Sequence, residues 1–85
     1  MIKENESIES LKAKIKYAEQ KIKRIQEEKI PEVEAKYQDK KNNLYYKADM
    51  AILNADITNL KIEISTNEYK IKQVLKQEEQ QNQPQ

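Results

Sequence analysis

The chain contains no glycine, histidine, cysteine, tryptophan or phenylalanine. Without histidine and cysteine it lacks the usual ligands of structural zinc, the Cys-His and Ser-His-Asp nucleophile systems and any disulfide framework. Without glycine it has no phosphate-cradling loop and lacks the residue that makes tight hairpin turns easiest, which disfavours a sheet-rich fold. No stretch approaches the roughly 18 apolar residues that span a bilayer, and the acidic segment Met1 to Ser10 has no apolar signal core. The expectation is a soluble, cytoplasmic chain with no membrane span. Charge of one sign is also missing: 16 Lys and Arg face 15 Asp and Glu, for a net charge of +1. That balance argues against a chain built chiefly to neutralise phosphates.

What is present is helical. The 85 residues allow one small domain, and charged and hydrophobic residues each make up 36% of them, so the core must be thin. Ile8, Leu11, Ile15, Ala18, Ile22 and Ile25 recur at alternating spacings of three and four. Tyr46, Met50, Leu53, Ile57, Leu60, Ile64, Asn67, Ile71 and Val74 do the same. This is the spacing of a single helical face and of coiled-coil core positions. Between the two series lies Asp39-Lys40-Lys41-Asn42-Asn43, a cluster of turn-prone residues. Lys40 and Lys41 suit a helix C-terminus, Asn42 the left-handed position usually given to glycine, and Asn43 an N-cap.

The pattern predicts an all-α fold, an antiparallel helical hairpin with coiled-coil-like packing. Its parts are a helix over 7–41, a turn at 42–43 and a helix over 44–76, with flexible residues 1–6 before and a disordered Gln-rich tail, 77–85, after. Folded about the Asn42–Asn43 junction, the two series mirror each other. Leu11 meets Val74, Ile15 meets Ile71, Ala18 meets Asn67, Ile22 meets Ile64 and Ile25 meets Leu60. Asn67, the polar residue of the seam, falls opposite the small Ala18, where its amide has room and can specify register. One long bent helix in a parallel coiled coil is the competing architecture.

Pro31 interrupts the first helix. Inside a helix, proline removes a hydrogen bond and clashes with the preceding turn, at a cost of about 3 kcal/mol, and it disfavours helical dihedrals at Ile30. The apolar spacing slips at the same place, running from Ile25 to Ile30 and then to Val33 and Tyr37. One extra residue near a kink produces that drift. The first arm is therefore expected to be kinked near Pro31; a separate short helix beginning at Pro31 is the alternative.

The second helix carries a further apolar series. Tyr45, Ala48, Ile52, Ala55, Asn59, Ile62, Thr66 and Tyr69 repeat the same spacing on nearly the opposite side from the hairpin seam. The corresponding residues of the first helix, Ser10, Ala13, Tyr17, Gln20, Arg24 and Glu27, read as a solvated face. The second helix thus needs a cover that its own hairpin does not supply. Another copy would provide one by forming a four-helix bundle, with Ala48 and Ala55 allowing close approach and Tyr45 and Tyr69 at the rim; another protein is the alternative cover. The expected dimer or partner interface is Tyr45, Ala48, Ile52, Ala55, Asn59, Ile62 and Tyr69.

Chemistry is sparse. Glu28 with Glu32, or Glu63 with Glu68, could pair as acid and base or as metal ligands, but neighbouring Lys29 and Lys72 point to solvated, salt-paired faces, and none of the serines sits in a strand-turn-helix elbow. No catalytic, metal-binding or cofactor-binding residue is assigned and no cofactor is expected. The one strong charge asymmetry is the stretch 12–24, where Lys12, Lys14, Lys16, Lys21, Lys23 and Arg24 face a single acid, Glu19. The reading is a non-enzymatic helical-hairpin module for protein–protein interaction, a scaffold, adaptor or inhibitor, assembling as a homodimer. The alternative is a small dimeric nucleic-acid-binding regulator presenting Lys12, Lys16, Lys23 and Arg24.

Overall fold

The computed structural model of the chain describes residues 7–82, so the expected flexible segment 1–6 and the last residues of the expected tail, 83–85, lie outside it. It is an all-α antiparallel hairpin. The first arm consists of α1 (Ile8–Arg24), a π-helical turn (Ile25–Lys29) and α2 (Ile30–Lys36); residues 37–43 connect it to α3 (Leu44–Asn82), and no strand occurs among the described residues. No helix of the described residues is long and apolar enough to cross a membrane.

The starts of α1 and α3 have local causes. Ser7 is extended at φ −69° and ψ 155° and caps α1, its Oγ accepting from the Ser10 N–H at 3.0 Å. Asn43 caps α3 as its position suggested, its Oδ1 accepting from the N–H groups of Tyr45 at 2.9 Å and Tyr46 at 3.2 Å. The first arm, however, ends at Lys36 and not at residue 41. Tyr37 turns extended, at φ −113° and ψ 132°. Its hydroxyl then donates to Asp49 Oδ2 at 2.7 Å, and its ring meets Tyr46 edge-on at 6.0 Å. These contacts draw the chain out of the helix early, and the two-residue turn expected at 42–43 becomes a seven-residue connection, 37–43. With that length no left-handed residue is needed: none of the described residues has positive φ, Asn42 included. The Asn42 N–H instead reaches back to Asp39 Oδ1 at 3.4 Å.

Pro31 is accommodated without a break. In the π turn the N–H of Ile30 donates to the carbonyl of Ile25, five residues back. Such a turn takes in one residue more than an α-helical turn. This is where the extra residue of the slipped spacing goes, so Ile25, Ile30, Val33 and Tyr37 all stay half-buried on the seam. Ile30 keeps helical dihedrals, φ −64° and ψ −48°, against the preference expected before proline. Helical dihedrals also hold at Arg24 and Lys29, so no new helix begins at Pro31.

At the other end α3 runs to Asn82, beyond the boundary at 76 and through most of the segment read as a disordered tail. Gln and Glu are good helix formers, and extending an existing helix carries no nucleation cost.

The seam is thin, as the composition requires. Leu11, Ala18 and Ile57 are its buried hydrophobic residues, Asn67 is buried with them, and the other seam residues are half-buried. The pairing of Tyr37 with Asp49, and a cleft lined jointly by Ile25, Lys29, Asp56 and Leu60, fix the register in which the two arms mirror each other.

The Tyr37 latch carries a pH signature. Its hydrogen bond to Asp49, then burial, then the negative charge of Asp49 hold the phenol proton above the ordinary tyrosine value of 10.0. A raised folded-state pKa means that the stabilisation is fully present below the unfolded value and is lost as pH rises through the folded one. Denaturant melts of the native chain and Tyr37→Phe should therefore differ at about pH 8, with the native chain more stable, and the difference should shrink as the pH rises through the tyrosine range. A constant difference across that range would mean that the hydroxyl contributes nothing through its proton.

Candidate interaction surface

Regular α3 geometry, at about 100° per residue, separates two apolar faces. The seam packs on the first arm. The other face is bare: Tyr45 is 76% exposed, Ile52 60%, Ile62 57% and Tyr69 63%. Ala48, Ala55, Asn59 and Thr66, which lie between them, are exposed as well. All seven residues read as a partner or dimer interface thus lie on one uncovered face of one helix. Large apolar side chains left in water along one stripe differ from the scattered singles normal on a soluble protein.

The flank of this face beside the first arm is charged. Asp56 and Asn59 line a cleft of about 530 Å³ with Lys21, Arg24 and Lys29, over a floor of Ile25 and Leu60. The cleft sits at the π turn, where Asp56 of α3 and the cations of the first arm line the same opening. Asp49 on the same flank is held by Tyr37. Opposite, the flank formed by Ala51, Thr58 and Ser65 is small and uncharged.

The basic residues proposed for nucleic acid are all exposed, but they do not form one group. Lys12, Lys16 and Lys23 share a flank of α1, while Arg24 points about 100° away from Lys23. Its Nε lies 3.6 Å from Glu28 Oε1. Tyr17, on the same arm, is 60% exposed with the Lys21 ammonium 4.4 Å above its ring. Among the described residues, no group of three or more His, Cys, Asp and Glu is placed to hold a metal ion.

Two exposed apolar residues fall outside the series read from the sequence. Leu44, at the first position of α3, and Leu75, near its far end, stand out in solvent. Leu44 directly precedes Tyr45 and Leu75 directly follows Val74, so both sit beside a recognised series but off its spacing. The cleft had no sequence signal, because it is made by residues of two arms. Comparison with protein-family models, curated proteins and solved structures finds no match for the chain.

Proposed function

We propose that this protein is a non-enzymatic interaction module, a helical hairpin that acts through the bare face of α3 and assembles with a second copy into a four-helix bundle. As a scaffold, adaptor or inhibitor it would present helical surface, with no chemistry of its own. The supporting observation is the set of exposed large side chains, Tyr45, Ile52, Ile62 and Tyr69, spaced along one side of α3 away from the first arm. The hydrophobic effect favours covering that stripe by roughly 25 cal/mol for each Å² of apolar surface removed from water. Ala48 and Ala55 let a second helix approach closely. The basic stretch lends the nucleic-acid alternative less support, since Arg24 is paired with Glu28 and stands apart from the three lysines that share a flank.

Ile52→Glu combined with Ile62→Glu tests this reading. Both residues are exposed in the hairpin, so the charges strike the second interface and not the seam. In sedimentation equilibrium the native chain should give twice its monomer mass and the double variant the monomer mass. An unchanged mass in the variant would reject the face as an interface.

A further inference from the structure

We propose that the second copy docks antiparallel, α3 against α3, about a two-fold axis midway between Ala55 and Asn59 on the bare face; this inference rests on the self-association proposed above and adds its geometry. In this arrangement Tyr45 faces Tyr69 and Ile52 faces Ile62 of the second copy. Ala48 likewise faces Thr66, and Ala55 faces Asn59.

The argument comes from the order of residue types along the bare face. Its positions alternate between two classes, as in any coiled-coil stripe. In the first half of α3 the bulky residues Tyr45 and Ile52 occupy one class, and the small residues Ala48 and Ala55 the other. In the second half the assignment reverses: Asn59 and Thr66 take the first class, and Ile62 and Tyr69 the second. The stripe therefore reads in the same order of sizes from either end. A two-fold antiparallel pair maps one class onto the other and so presents identical contacts at both ends, the condition for an isologous interface. A different partner protein imposes no such repeat. A parallel pair, in which each residue meets its own counterpart, gains nothing from the reversal.

Size along the stripe fits the same axis. The middle is narrow, with Ala55 and Asn59 on the face and Ala51 and Thr58 beside them, and the ends carry tyrosine. Helices that cross come closest at the middle and diverge at the ends, as these volumes require. The charged flank favours neither pairing: antiparallel docking brings Asp49 toward Lys70 of the second copy and Asp56 toward Glu63, each twice by symmetry. The two α3 macrodipoles are opposed in this pairing.

The absence of cysteine makes the geometry directly testable, because a single thiol can be placed at will. Ile52→Cys and Ile62→Cys both change exposed positions, so the hairpin seam is untouched, and helical circular dichroism checks that each variant folds. The antiparallel pair places the two copies of residue 52 about 15 Å apart along the axis, beyond the Cα separation of about 7 Å that a disulfide can close. Under oxidised glutathione, an equimolar mixture of Ile52→Cys and Ile62→Cys should give at least about five times more covalent dimer than either variant alone. Abundant covalent dimer from Ile52→Cys by itself overturns the antiparallel pairing, and so does a native chain that sediments as a dimer while no combination cross-links. A native chain that sediments only as a monomer removes the self-association itself. The two failures are thus told apart by the mass of the unmodified protein.

Discussion

Leu11→Ala is expected to destabilise the hairpin by about 2 to 5 kcal/mol. Leu11 is 1% exposed, and with Ala18 and Ile57 it belongs to the small set of buried hydrophobic residues. Truncation removes the transfer free energy of three carbons and leaves a cavity that two long helices cannot collapse around without tilting. In a larger domain neighbouring layers would compensate, but here most of the seam is only half-buried and little is held in reserve. Thermal melts followed by helical circular dichroism check this. A loss well below 1 kcal/mol would show that the open end of the hairpin, where Leu11 lies, is not part of the cooperative unit.

The second large effect concerns the layer of Ala18 and Asn67. Ala18 is fully buried and Asn67 is 4% exposed. Ala18→Leu should cost about 1 to 3 kcal/mol, because three carbons are pushed against a buried amide. Asn67→Ala opens the complementary space. The double variant, Ala18→Leu with Asn67→Ala, should recover much of that loss, with a coupling of about 0.5 to 3 kcal/mol in a double-mutant cycle. Simple addition of the two single effects would mean that the residues do not face each other, and the mirror register would be wrong at this layer. The native choice of an amide where an aliphatic residue would fit gives up stability, and the physical return is a single register, since sliding the helices would press Asn67 against a bulky aliphatic residue.

The seam was legible because helical periodicity is a local property. Spacings of three and four place Leu11, Ile15 and Ile22 on one side of an axis wherever the rest of the chain goes. The slip from Ile25 to Ile30 was legible for the same reason, although its form was not. Angular drift shows that one residue must be absorbed, but a kink, a break and a π turn all absorb it. The π turn takes in the extra residue while Arg24, Lys29 and Ile30 keep helical dihedrals. The end of the first arm was misread because Tyr37 sits at seam spacing and Lys40 and Lys41 suit a helix terminus. The contact that decides it is with Asp49, twelve residues onward. No window confined to the turn contains that information. The bare face of α3 was visible as a second apolar series, yet a second series is equally compatible with a fold in which the first arm wraps across both.

From its residues alone the chain determined two amphipathic helices, a seam series that includes Ala18 and Asn67, and an apolar stripe from Tyr45 to Tyr69. These are angular relations within one helix and follow from about 3.6 residues per turn. Tertiary structure decided the rest: that the first arm stops at Lys36, that Pro31 rides on a π turn, and that the stripe on α3 stays in water. Each of those depends on how the two arms pack, which local spacing does not specify.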